Sequence, residues 1–168
     1  MKLVVFDIET TGLDREKDHI VQFSAVKYDS ENPTNTETYT TYIQPEGSYN
    51  MSIMAYVKHR IRPEFLKDKP KFIDVAQDIL DFFEGCSLLT YNGLSFDAPF
   101  LKREFKEVGI EWNFSEVPFY DSFLEEKRRS SHKLEDTYFR YTGTTMEANG
   151  LTAHDATSDC FATLSIFL

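Results

Sequence analysis

Cysteine is nearly missing from this sequence. The two present, Cys86 and Cys160, lie far apart and outside any CxxC pair, which leaves neither a disulfide framework nor a cysteine zinc site. Long apolar runs are missing too, and the chain passes from Met1 and Lys2 straight into "LVVF" without a small-residue cleavage site. Neither a membrane span nor a signal peptide is expected, so a soluble, cytoplasmic protein without a membrane partner is predicted. Basic charge is scarce, with 18 Lys and Arg against 28 Asp and Glu for a net charge of -10. Holding nucleic acid by surface charge alone is disfavoured, because attraction to phosphates needs a basic surface. An enzyme whose positive charge arrives as bound metal ions is compatible with that deficit. Internal repeats, linkers and low-complexity stretches are also lacking.

What the chain does have is apolar and aromatic residues, 41% and 15% of 168, enough for one packed domain over residues 1–168. Residues 2–8 read as a central strand, "HIVQFSAVKYD" from His19 as a second, and "TETYTTYIQP" from Thr36 as a third, in meander order. Short helices are predicted around Ile53 to Lys58 and Pro63 to Lys67. Apolar residues at Phe72, Val75, Ala76, Ile79, Leu80 and Phe83 keep helical spacing. Then come a strand at Ser87 to Asn92, a helix from Phe96 to Gly109, and a short strand at Val117 to Tyr120. Helical segments around Asp121 to Lys127 and Lys133 to Tyr141 and a last helix from about His154 complete a mixed α/β pattern.

The stretch "VVFDIETTGL" sets two carboxylates, Asp7 and Glu9, at the end of the first strand. Alternation puts them on the face of Leu3 and Val5, so that face should be at least partly dry. Two unpaired carboxylates there cost several kcal/mol or shift a pKa strongly upward unless cations are present. No Lys or Arg lies between Lys2 and Arg15. An oxygen-only cluster suits hard divalent ions such as Mg²⁺ or Mn²⁺. Further acids in suggestive surroundings are Asp97, at the start of a helix after a strand, and the pair Asp155 and Asp159. That pair, four residues apart, shares a helix face, so spacing does not distinguish ligand from cap. His154, at a loop-to-helix junction five residues before Asp159, could accept a proton from a metal-bound water. His19, His59 and His132 are read as surface or structural residues.

"FDIETTG", "NGLSFDAPFL" and "HDATSDCFAT" resemble, in order, the three motifs of the DEDDh 3'-5' exonucleases, the group that includes the epsilon proofreading subunit of bacterial DNA polymerase III. The resemblance implies a ribonuclease H-like α/β fold, a five-stranded mixed sheet flanked by helices. Asp7, Glu9, Asp97 and Asp159 would hold two divalent cations, Mg²⁺ or Mn²⁺, with His154 as general base. It thereby selects Asp159 over Asp155. Thr10, Thr11, Gly12 and Leu13 match residues that line the pocket for the terminal nucleotide, and Asn92 and Phe96 join them as substrate-binding candidates. The implied substrate is the 3' end of single-stranded nucleic acid, with DNA expected, and the implied partner a DNA polymerase or another replication or repair protein.

Two departures stand out. Three residues separate Asn92 from Phe96 where many members have two, and His59, Arg60, Ile61 and Arg62 stand where many read His-Gly-Ile-Thr. Rival expectations are an RNA-trimming exonuclease of the same family and a non-catalytic binding or polymerase-interaction module of the same fold. A protein whose acids are mere surface charge would require Leu3 and Val5 to be exposed.

Overall fold

The computed structural model describes residues 1–127 and 133–168, so His132 lies outside the described residues. Five strands form one mixed sheet in the order β3-β2-β1-β4-β5: β1 (Lys2–Thr10), β2 (Ile20–Asp29), β3 (Glu37–Tyr42), β4 (Ser87–Thr90) and β5 (Phe119–Asp121). The first three make the expected antiparallel meander, with Val5 opposite Val26. β4 and β5 join in parallel to β1, with Val5 opposite Leu89.

The alternation of β1 divides the core. Val4, Phe6 and Ile8 face α3 (Phe72–Phe83) and α4 (Asp97–Glu107). There Phe6 packs against Phe23 and Phe83, with ring centroids 6.1 and 5.2 Å away. Leu3 and Val5 face α7 (Ala156–Phe167) through Cys160 and Leu164. Both are 0% exposed, so the acids that follow them on that face are not simple surface charge. α6 (Leu134–Thr142) backs α7 through Tyr138, Met146 and Ala162. Three short helices, α1 (Ile53–His59), α2 (Pro63–Leu66) and α5 (Ser122–Glu126), complete the described α-helices. No helix among the described residues is long and apolar enough to cross a membrane. Both cysteines are buried free thiols.

Two boundaries move for one physical reason. β4 stops at Thr90 rather than Asn92, and α7 starts at Ala156 rather than His154. Asn92 (φ 65°) and His154 (φ 62°) adopt the left-handed conformation, which neither a strand nor a helix continues. Both residues end up beside the acids.

Candidate active site

β1 and β4 run in the same direction, so their C-terminal ends emerge at one edge of the sheet. β1 brings Asp7 and Glu9 there. A turn after β4 delivers Asp97 as the first residue of α4, and the first turn of α7 supplies Asp159 from across the sheet face. All four line one cavity of about 630 Å³ together with Thr10, Gly12, Leu13, Asn92, Phe96 and His154. Of the residues matched to the family's pocket, Thr11 is buried and does not line it. Asp155 stays out as well: its carboxylate accepts from the Ser158 amide at 2.9 Å and caps α7.

The strand ladder helps to fix Asp97. Ile8 lies beyond the register shared with β4, and its N–H donates to Asp97 Oδ1 at 3.0 Å. The longer turn before Asp97 is held by Asp121 at the end of β5, which accepts from the amides of Asn92 (2.7 Å) and Leu94 (3.0 Å) and from Phe123 (3.1 Å). Gly93 sits inside that turn, where a Cβ would come within 2.5 Å of Thr90. The extra residue of the turn therefore leaves Asp97 beside Asp7.

Electrostatically the cavity is under load. Burial, then the charges of Asp97, Glu9, Asp159 and Asp155, raise Asp7 well above the usual carboxylate range. Burial and the charges of Asp159 and Asp97 push Glu9 up to about 8, against the opposing pull of Lys58. Asp97 is pushed up to about 7 by burial in spite of the amides it accepts from, and Asp121 adds to the rise. Burial likewise lifts Asp159 to about 7; the His154 amide offsets part of this, while Asp155 and Glu135 add to it. Asp159 Oδ1 is buried and has no hydrogen-bond partner among the described residues, a condition that costs roughly 1–3 kcal/mol for a polar group. Unpaired oxygen, several acids and little compensating charge make a donor set that fits hard divalent cations.

A tighter triplet of possible ligands, His19, Glu104 and Glu107, occurs elsewhere among the described residues, with ligand atoms within 4.8 Å of one another. It already has its cation: Arg103 lies 2.8 Å from Glu104 and 3.4 Å from Glu107. Burial alone would raise Glu104, but hydrogen bonds from His19 and Arg103 outweigh it and hold this carboxyl below its ordinary value. The two acidic groups thus behave oppositely, one satisfied by protein and one not.

Arg103 also reaches the cavity wall indirectly. It donates to the carbonyls of Arg15 and Asp18, in the loop that carries Gly12 and Leu13. Within the loop, Thr11 Oγ1 donates to Asp18 Oδ1 (2.8 Å), Thr10 Oγ1 donates to the Gly12 carbonyl (2.6 Å), and a Cβ at Gly12 would collide with Asp18. The two threonine hydroxyls build the turn. On the opposite wall, Ile61 N–H donates to His59 Nδ1 at 3.0 Å, so the ring proton sits on Nε2 and faces the Thr10 carbonyl at 3.2 Å. His59 is the structural residue expected, although it also lines the cavity. Asp121, Arg103 and Lys58 were not singled out by sequence; their roles depend on distant backbone and charge.

The raised carboxyls fix a pH dependence. A group whose folded pKa lies above its unfolded value contributes stability that is complete below the unfolded value, near 4, and lost as pH rises through the folded one. Metal-free protein should therefore melt at a progressively lower temperature as pH rises from about 5.5 to about 8.5, across the values near 7 and 8 given for Asp97, Asp159 and Glu9. Added Mn²⁺ should restore most of the loss at the alkaline end and little at the acidic end. Thermal unfolding with and without chelator measures this, and an equal Mn²⁺ effect at both ends contradicts it.

Known proteins share this architecture. The family model RNase_T, described as exonuclease, matches residues 4–167. A PolC-type DNA polymerase III of Caldanaerobacter subterraneus is 30% identical over 167 residues, 99% of this chain and 11% of the relative. The DNA polymerase III subunit epsilon of Rickettsia conorii is 38% identical over 105 residues, 62% of this chain and 44% of the relative. Among solved structures, the zinc-bound ExoI–ssDNA complex of E. coli superposes with a TM-score of 0.81 at 23% identity, covering 99% of this chain and 39% of that one. The chain thus spans less than half the length of each. The structural likeness establishes the ribonuclease H-like fold, with the five-stranded mixed sheet that the motifs implied. With the match running almost from end to end, the chain belongs to the RNase_T family of exonucleases.

Proposed function

We propose that this chain is a metal-dependent 3'-5' exonuclease that releases nucleoside 5'-monophosphates from the 3' end of single-stranded DNA. The observation that carries the reading is the convergence of Asp7, Glu9, Asp97 and Asp159, from three separate elements, on one cavity where their charges lack compensation. Family membership supports the reaction type. The relatives' names support DNA as the substrate and a DNA polymerase as the partner, since two belong to DNA polymerase III and the structural neighbour holds ssDNA.

Asp7, Glu9 and Asp159 would hold one divalent cation, Mg²⁺ or Mn²⁺, and Asp7 with Asp97 a second. When bound, such ions polarise the phosphoryl oxygen, lower the pKa of water and stabilise the departing 3'-oxygen. His154, exposed at the cavity rim, takes the proton from the attacking water at an imidazole nitrogen. Its left-handed backbone, just ahead of the capped start of α7, turns the His154 amide to Asp159 without extending the helix. Leu13, Met54 and Phe96 offer apolar surface to the terminal nucleotide. Glu9, at the register shift between β1 and β2, sits where a bulge re-aims a side chain.

A 3'-labelled single-stranded oligonucleotide should lose mononucleotides one at a time in Mg²⁺ or Mn²⁺ and stay intact in chelator; digestion in chelator contradicts the proposal. An RNA strand of the same sequence run in parallel should be cut more slowly, and faster cutting would favour the RNA-trimming alternative. Replacing His154 by Ala should lower the rate on the order of 10²-fold while Mn²⁺ affinity changes little. A variant of normal rate removes His154 from the base role.

A further inference from the structure

Helix α1 buries none of its residues, yet Ile53, Met54 and Val57 are 79, 68 and 46% exposed. Surface helices ordinarily turn such residues toward the core. It is nonetheless held in place at both ends: the Ser52 N–H donates to the Thr11 carbonyl at 2.8 Å, and His59 meets the Thr10 carbonyl. An apolar ridge is thus fixed along the edge of the cavity.

The same region reverses the charge of the protein. Between Lys58 and Lys71 there are six Lys and Arg against only Glu64 and Asp68, in a chain whose net charge is -10. Lys58, Arg60 and Arg62 are exposed and form no ion pair or side-chain hydrogen bond among the described residues. Met54 and Lys58 line the cavity itself. Ile53 and Arg62 line a shallower groove on the far side of α1, with Met51, Tyr56, Pro63 and Glu64. Apolar surface flanked by unpaired cations, continuous with an acidic site, matches one ligand chemistry: unstacked bases joined by phosphates.

We propose that single-stranded nucleic acid upstream of the terminal nucleotide leaves the cavity over α1. Its phosphates lie against Lys58, Arg60 and Arg62, and its bases against Ile53 and Val57, beyond the Met54 that faces the terminal nucleotide. The track rests on the exonuclease reading and deepens it, because it makes the enzyme select for several unpaired nucleotides behind the cut. It also answers the charge deficit, since the chain concentrates cations along the substrate's path although its net charge is -10.

Arg60 offers a clean probe. It caps α1 in the left-handed conformation, φ 61°, where glycine is the favoured residue, so Arg60→Gly removes the charge without disturbing the backbone. The variant Arg60→Gly/Arg62→Gln should be compared with the parent protein on two substrates, a single-stranded dodecamer and the p-nitrophenyl ester of a nucleoside 5'-monophosphate, which carries no nucleotide upstream of the terminal one. On the dodecamer kcat/KM should fall several-fold, and the slope of log kcat/KM against log salt should shrink by about 0.7 for each phosphate contact removed. Ester hydrolysis should be unchanged. An unaltered salt slope on the dodecamer overturns the track and leaves the surface to some other partner, such as an acidic protein. If the parent protein cleaves neither substrate in Mn²⁺, the exonuclease reading falls and the track falls with it.

Discussion

Like-charge repulsion at the end of β1 is the constraint on which the rest of this structure depends. Asp7 and Glu9 follow two fully buried apolar residues on one sheet face, and α7 then seats Asp159 on the same face. Each is partly or fully buried, and among the described residues none of the three forms an ion pair. The fold tolerates this by holding protons at pH values where carboxyls are normally ionised. Divalent cations can replace those protons with a charge better matched to the oxygens. The cost in folding stability is therefore also the source of affinity, because whatever neutralises the cluster stabilises the native state.

Around that point the architecture supplies rigidity where the site needs it. Parallel pairing of β1 and β4 brings two chain segments to one edge, and the amide of Ile8 ties Asp97 to the strand that carries Asp7. Asp121 organises the intervening turn, and Arg103 clasps the opposite loop. Both bind distant backbone groups and so fix shape, and the charge of Asp121 also adds to the upward shift of Asp97. Cys160 follows the same logic: it is buried beside Asp7, burial pushes its thiol well above the ordinary value, and it stays neutral.

Much of this was legible in the sequence because it rests on short periods. Alternation along β1 alone placed Asp7 and Glu9 on the dry face, and helical spacing located α3 within a residue. The i, i+4 relation of Asp155 and Asp159 was ambiguous for a physical reason: both could cap or coordinate, and only the packing of α7 on the sheet sends one to Ser158 and the other into the cavity. The local bonds of Arg103 to Glu107 and of Asp121 to the Phe123 amide gave no hint of their part in the site, since the carbonyls and turn amides that they also bind are tens of residues away. Thr11 matched a pocket-lining motif yet is committed to Asp18, a bond that depends on how the loop closes. The exposed face of α1 was equally hidden, because "SIMAYVKH" looks like a helix seeking a core.

The most direct test of the central claim is anomalous diffraction from crystals soaked in Mn²⁺ near pH 8. The account predicts manganese peaks bounded by the carboxylates of Asp7, Glu9, Asp97 and Asp159, and none at His19, Glu104 and Glu107, where Arg103 already provides the charge. A cavity without manganese at a concentration that fills other surface sites, or manganese at the Glu104 cluster alone, would contradict it.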